Sequence, residues 1–159
     1  MPIKKKNLTK DDQIKKDQIS DLRSKADKGD ANAQYLLGGL YDIGLTVPHD
    51  YVQARQWWEQ AAAQGHAEAQ YLLGGLYDIG LTVPVDYAQA RQWWEQAAAQ
   101  GHAEAQYLLG GLYDIGHGVP QNHEKARQWY EQAVFQGHAE AQQALMNLNE
   151  DTIAGTLAA

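Results

Sequence analysis

Histidine offers the widest range of chemistry in this sequence, because an imidazole can bind a metal ion or move a proton near neutral pH. Three of the six histidines, His66, His102 and His138, recur at intervals of 36 residues. Side chains one repeat apart are too distant to share an ion that needs about 2.0–2.1 Å to each nitrogen ligand. We therefore expect these three histidines to lie in turns or helix caps.

His117 and His123 form the one cluster with the spacing of metal ligands, together with Asp114 and Glu124. Two interpretations fit this cluster. One is an adventitious metal site, and the other is a loop of ordinary solvated side chains. We favour the second, and we predict no resident metal ion and no cofactor.

Other groups that catalyse reactions are missing or badly placed. The sequence has no cysteine, and its two serines, Ser20 and Ser24, precede the first repeat, so the repeats hold no serine triad. Glu68 and Asp78 lie at opposite ends of one predicted helix, with no sign of the burial that shifts a carboxyl pKa. Neither a P-loop nor a dinucleotide-binding fingerprint occurs. We predict that the protein is not an enzyme.

An internal repeat organises the whole chain. The sequence of residues 67–102 is repeated at residues 31–66 with three substitutions and at residues 103–138 with ten substitutions. A fixed period of 36 residues predicts a solenoid in which each repeat buries its apolar face against its neighbours. The near-identity of the first two repeats has two explanations, recent tandem duplication or an engineered, consensus-like sequence.

Each repeat is predicted to form two helices, A and B, at 31–43 and 51–64 in the first copy. Helix A places Ala33, Leu37 and Tyr41 at steps of four, with Leu36 and Leu40 alongside, and helix B presents alanines and tryptophans for packing. Helix caps are predicted at Asp30, Asp50, Asp86 and Asn122, and glycines that end the B helices at Gly65, Gly101 and Gly137.

The remaining face of helix A is the candidate site. Steps of three and four residues place an acidic or amide residue, a tyrosine, a glycine and an aspartate along it, and the same stripe recurs in each repeat. A glycine in mid-helix is about 1 kcal/mol less favourable than alanine. Two explanations remain open for the glycines, close helix packing for the first of each pair and a bare floor for a ligand backbone for the second. The tyrosines are either packing residues or ligand contacts. We call the following set the candidate stripe: Asn32, Tyr35, Gly39, Asp42, Glu68, Tyr71, Gly75, Asp78, Glu104, Tyr107, Gly111 and Asp114.

The N-terminal segment differs in charge from the rest of the chain. Residues 1–30 carry nine Lys and Arg against six Asp and Glu, whereas residues 31–159 carry four against fourteen. We predict a basic N-terminal segment and capping helix (1–30), a solenoid (31–150, with a partial repeat at 139–150) and a flexible tail (151–159). The acidic repeats predict that nucleic acid is not a partner. No apolar run is long enough for a membrane span, and we predict no membrane partner. The compartment stays open: cytoplasmic if the chain is complete, periplasmic or secreted if a signal peptide was removed.

The repeat pattern A-x-A-Q-Y-x-L-G-x-x-Y-x-x-G-x-x-V-P-x-D-x-x-x-A-x-x-W-x-x-x-A-A-x-x-G resembles the Sel-one-like repeat (SLR), a relative of the tetratricopeptide repeat. The resemblance implies an all-α, right-handed superhelical α/α solenoid of helix-turn-helix repeats, with three full repeats between capping helices. The family loop Gly-x-Gly-Val is kept at Gly116–Val119. The first two repeats have Leu45-Thr46 and Leu81-Thr82 there, and threonine tolerates a positive φ poorly, so these loops either turn differently or are strained.

The predicted function is a non-catalytic protein–protein interaction scaffold, or adaptor, that binds an extended peptide or partner segment on the concave face. The aspartates of the candidate stripe favour a basic or amide-rich peptide. One alternative is a structural or engineered repeat module without a native ligand. Another is a β-lactam-binding or hydrolysing protein, which a cysteine-rich branch of the family suggests and the lack of cysteine opposes. The apolar tail also allows self-association.

Overall fold

The structure is a computed structural model that describes residues 10–44 and 46–157; residues 1–9, Leu45 and residues 158–159 of the predicted segments lie outside the described residues. The described residues form eight α-helices and no strand. The helices are α1 Lys10–Asp27, α2 Ala31–Ile43, α3 Tyr51–Ala63, α4 Ala67–Ile79, α5 Tyr87–Ala99, α6 Ala103–Ile115, α7 His123–Phe135 and α8 Ala139–Leu157.

The helices of the three full repeats begin and end within one residue of the positions that the sequence indicates. The carboxylate of Asp50 accepts the backbone N–H groups of Val52 and Gln53, both at 3.0 Å, and thereby caps α3. Asp30, Asp86 and Asn122 cap α2, α5 and α7 in the same way. Gly65, Gly101 and Gly137 follow the B helices with φ between 84° and 88°, the left-handed conformation that only glycine adopts without strain.

The chain forms two compact units, one up to Gln64 and one from Gly65. In the first, Ala33 and Leu37 are buried as predicted, and Ala54, Trp58 and Ala61 of α3 are buried as well. The expectation for Leu36 was wrong, because its side chain is 46% exposed. It lies one helical turn from Asn32 and Gly39 and therefore shares their open face.

The second compact unit, from Gly65, repeats this packing. Leu73 of α4, Trp94 of α5 and Leu109 of α6 are buried. Small alanines such as Ala90 and Ala105 allow the helices to approach closely. The last helix, α8, continues to Leu157, whereas the sequence indicated an end near residue 150. No helix within the described residues is long and apolar enough to cross a membrane.

The loop between α4 and α5 shows how threonine replaces the family glycine. Thr82 has φ 67°, nearly the same as Gly118 at the equivalent position, where φ is 68°. Of the two outcomes that the sequence left open, the structure therefore has the strained one. The hydroxyl of Thr82 is also buried and has no hydrogen-bond partner among the described residues. For the loop of the first repeat, Leu45 lies outside the described residues.

Candidate interaction site

The three recurring histidines are helix N-caps, which confirms the role predicted for them. The Nδ1 atoms of His102 and His138 accept the backbone N–H groups of Ala105 and Ala141, each at 3.2 Å. His66 caps α4 in the same way, at 3.3 Å. The helix macrodipole and the unpaired first-turn N–H groups explain why an acceptor is needed here.

This capping role fixes the tautomer of the imidazole, because an Nδ1 atom that accepts a hydrogen bond carries no proton. The proton of neutral His102 is therefore on Nε2, which donates to Oε2 of Glu68 at 3.0 Å. The ring of Tyr71 stacks on the same imidazole, with centroids 4.7 Å apart and 21° between the planes. His102 thus holds two residues of the candidate stripe in α4.

The same arrangement recurs one repeat further on. His138 Nε2 donates to Oε2 of Glu104 at 2.9 Å, and the ring of Tyr107 stacks on His138 at 4.8 Å. Burial, with help from the carboxylates of Glu104 and Glu68, raises the pKa of the Tyr71 phenol. Glu68, Tyr71, Glu104 and Tyr107 of the stripe are therefore already engaged with the protein itself, which the sequence did not predict.

The two glycines of each pair differ sharply in their surroundings. A Cβ atom on Gly74 would lie 2.2 Å from Nε1 of Trp94, whereas a Cβ atom on Gly75 would have no neighbour within 4 Å. Gly38 and Gly110 are also packed closely, against Trp58 and Tyr130. The first glycine of each pair therefore permits helix packing, as predicted, and the second, at Gly39 and Gly75, lies next to open space.

The aspartates of the stripe are also not equivalent. The carboxylate of Asp114 accepts the hydroxyl of Tyr130 at 3.4 Å and lies 3.8 Å from Nε2 of His123. Asp78 is at the equivalent place one repeat earlier, where Trp94 replaces the tyrosine. The Trp94 indole donates instead to the backbone oxygen of Tyr71, at 3.1 Å. Among the described residues, nothing forms a hydrogen bond or an ion pair with the carboxylate of Asp78.

Parts of two neighbouring stripes meet at a cavity of about 200 Å³ in the second compact unit, which we call the Asp78 cavity. Asp78 comes from α4, Trp94 from α5, and Tyr107 and Gly111 from α6. Three residues of the candidate stripe therefore share one cavity. Apolar side chains complete it, among them Leu108 and Ile115, and His117 also lines it.

In the first compact unit the stripe lies on α2. Asn32 is exposed, whereas Tyr35, Gly39 and Asp42 are half-buried. The backbone oxygen of Tyr35 accepts the indole N–H of Trp58 at 3.2 Å, as Tyr71 does for Trp94.

The sequence analysis did not predict that one glutamine of each repeat is buried. Gln106 is 4% exposed; its Nε2 donates to the backbone oxygen of Ala98 at 3.1 Å, and its Oε1 accepts from Gln136 at 2.6 Å. Gln34 makes the same pair of bonds, with Ala26 and Gln64. The glutamine that recurs in the A-x-A-Q-Y motif could have indicated this. A polar residue that recurs beside a core alanine is usually buried and forms hydrogen bonds, often to the backbone.

The loop cluster around His117 and His123 is not drawn together. His117 packs against Tyr87, with ring centroids 3.8 Å apart, while His123 points to Asp114. Within the described part of the chain, no three His, Asp or Glu side chains are arranged to hold a metal ion.

Comparison with known proteins identifies the class of this fold. The family model of the Sel1 repeat matches residues 31–66, 67–102 and 103–138. The chain therefore belongs to the Sel1 repeat family, and its fold is the all-α solenoid of helix-turn-helix repeats. No match was found among proteins of curated function.

Two solved structures resemble the chain in sequence as well as in fold. A Sel1 repeat protein from Oxalobacter formigenes is 37% identical, with a TM-score of 0.77, over 82% of this chain and 98% of that protein. The protective antigen c5321 of uropathogenic Escherichia coli, which displays an SLR fold, is 40% identical with a TM-score of 0.77. That match covers 79% of this chain and 27% of the antigen, so the chain spans about a quarter of its length.

A third structure shares the fold alone. Helicobacter pylori cysteine-rich protein B is 22% identical, with a TM-score of 0.64, over 80% of this chain and 96% of that protein. Sel1 repeat proteins are generally protein-interaction scaffolds, and the solenoid is typically non-enzymatic. Membership of the family thus supports a role in protein–protein interaction without naming the partner.

Proposed function

We propose that this protein is a non-catalytic scaffold that binds an extended peptide or a partner segment along the candidate stripe, the face that the sequence predicts to be concave. The observation that carries the proposal is the open space at Gly39 and Gly75, where a Cβ atom would have no neighbour within 4 Å. Packing does not require glycine there, and a mid-helix glycine is about 1 kcal/mol less favourable than alanine. Close approach of another backbone is a physical reason for it.

The contacts within the protein divide the stripe into two parts with different roles in this proposal. Glu68 and Tyr71 are engaged with His102 and act by fixing the shape of the surface. Gly75 and Asp78 have no such engagement among the described residues. We therefore expect the glycine to admit the peptide main chain and the aspartate to contact its polar groups.

The proposal is tested with linear peptides selected from a random library against the full chain. The affinity of a selected peptide is then measured by calorimetry for Gly75→Ala and Asp78→Asn, two changes that disturb no contact of the folded protein. Gln92→Ala, on the exposed side of α5, is the control. Weaker binding by both variants and unchanged binding by the control support the proposal. Unchanged affinity in Gly75→Ala and Asp78→Asn would move the site elsewhere.

A structural module without a ligand is the second candidate, and the network around His102 favours it. The network ties α4 to the start of α6 and gives the stripe's glutamate and tyrosine a purpose that needs no partner. A purely structural stripe predicts that the library yields no peptide that competes with others for one site. It also predicts that Gly75→Ala is as soluble and as inert as the unchanged chain.

A further inference from the structure

We propose that the Asp78 cavity receives the side chain of a lysine or an arginine from the bound peptide. This inference rests on the proposed function and adds its chemical specificity. The cavity joins one carboxylate without a partner to aromatic and aliphatic walls within about 200 Å³. Lysine and arginine have the matching composition, because each carries a cation at the end of an apolar stem.

The carboxylate of Asp78 selects for positive charge. It is half-buried and accepts no hydrogen bond among the described residues. A neutral side chain in the cavity would remove water from this carboxylate without replacing the lost hydrogen bonds, and an acidic one would add repulsion. A cation satisfies the carboxylate with a charge-assisted hydrogen bond.

The apolar walls suit the rest of the same side chain. Leu108 and Ile115 offer aliphatic contacts for the stem, and Tyr107 and Trp94 also line the cavity. Charge and shape therefore favour the same occupant.

The Lys and Arg side chains of the second compact unit form no ion pair with the Asp78 carboxylate among the described residues. Residues 65–159 contain three Lys and Arg and eleven Asp and Glu. Arg91 pairs with Glu95 at 3.3 Å, and the Lys125 ammonium lies 5.0 Å from the ring centre of Tyr113. His117, which also lines the cavity, packs on the ring of Tyr87. A cation from another molecule therefore meets a strongly acidic surface with this carboxylate open to it.

The corresponding aspartate of the next repeat is already engaged and has no equivalent cavity residues around it. Asp114 is engaged by Tyr130. In α8 the positions of Tyr107 and Gly111 hold Gln143 and Asn147, whose side chains bond to each other at 2.9 Å. The features that form the Asp78 cavity are thus absent one repeat later.

The test uses side-chain analogues without a peptide backbone, followed by ¹H–¹⁵N correlation spectra of the full chain. The probes are n-butylammonium and n-butylguanidinium, and the matched controls are n-butanol and n-butyrate. We expect the cations to shift the amide signals of Asp78, Gly111 and Ile115. Asp78→Asn should weaken this binding about five- to tenfold, as expected for a half-buried charge pair. Glu131→Gln, which removes an exposed acid of α7 outside the candidate stripe, should leave it unchanged.

A second variant narrows the cavity without removing charge. Alanine at Gly111 would place its Cβ atom 3.8 Å from the Tyr130 hydroxyl, an ordinary contact, so Gly111→Ala should fold and bind the cations more weakly. Equal binding of n-butanol, equal binding by Asp78→Asn, or unchanged spectra at tens of millimolar cation would each overturn the assignment. The probes have no main chain, so Gly75→Ala should impair peptide binding alone. Peptide binding without cation binding would refute this inference and leave the proposed function standing.

Discussion

Alanine substitution at two adjacent glycines should change stability in opposite directions. Gly74 and Gly75 occupy consecutive positions in α4 and have the same intrinsic helix propensity. Only Gly74 lies against the indole of Trp94, with an added Cβ atom 2.2–2.8 Å from three indole atoms. No real Cβ contact is that short, so the indole or the helix must shift.

The magnitude follows from three contributions. Overpacking in Gly74→Ala destabilises by about 1–3 kcal/mol. Loss of the Trp94 hydrogen bond to Tyr71 adds about 1 kcal/mol, and the better helix propensity of alanine offsets about 1 kcal/mol. The net loss is about 1–3 kcal/mol. Gly75→Ala has only the propensity contribution and should gain about 1 kcal/mol.

Urea unfolding followed by circular dichroism and tryptophan fluorescence measures both changes. With a slope of about 2 kcal/mol per molar urea, the midpoint should fall by about 0.5–1.5 M in Gly74→Ala and rise by about 0.5 M in Gly75→Ala. Shifts of the same sign in both variants would refute the packing difference. A more stable Gly75→Ala that also binds the selected peptide less well would identify a glycine kept for function at the expense of stability.

Three further predictions use the same unfolding measurement. Thr82→Gly should stabilise the protein by about 1 kcal/mol. Relief of the left-handed backbone strain contributes about 1–2 kcal/mol, and the larger loss of backbone entropy of glycine on folding offsets about 0.5–1 kcal/mol of it. A lower stability of Thr82→Gly would show that Thr82 is not strained. His102→Ala should lose about 2 kcal/mol, about 1 kcal/mol with the cap on Ala105 and about 1 kcal/mol with the hydrogen bond to Glu68. His102→Asn should recover only the capping part, and full recovery would show that the contact with Glu68 adds no stability. Burial and the Asp114 carboxylate raise the pKa of Tyr130 above its ordinary 10.0. Stability should therefore be complete below about pH 10 and fall above it, and Tyr130→Phe should fall less steeply.

The fold follows from the sequence because local and global signals agree in every repeat. The apolar spacing of helix A, the aspartate caps and the glycines after helix B all point to the same helix-turn-helix. Leu36 was wrongly predicted to be buried. A hydrophobic residue beside a buried stripe has the same sequence pattern whether or not another helix covers it. Thr82 departs for another reason: the loop keeps the geometry of the glycine version, although threonine alone would not choose it.

The candidate site was less predictable, since its residues are distinguished by contacts at long separation. Glu68 meets His102 across 34 positions, and a single helix gives no sign of this pair. Asp78 and Asp114 have identical flanking residues, LYDIG, so their difference depends on whether the following helix carries Trp94 or Tyr130. Such differences become visible only when the packing partner is known.

In α4, the residues that pack the fold and the residues of the proposed peptide site occupy neighbouring positions. Glu68 and Tyr71 contact the next cap, and Gly74 contacts the indole, so we expect substitutions there to destabilise the fold. A Cβ atom on Gly75 would have no neighbour within 4 Å, and the Asp78 carboxylate forms no hydrogen bond or ion pair among the described residues. Because the effects of substitutions without shared contacts add independently, the second set can vary between repeats without a loss of stability. Under the proposed function, substitutions at these positions would change the bound peptide one repeat at a time while the packing residues stay the same.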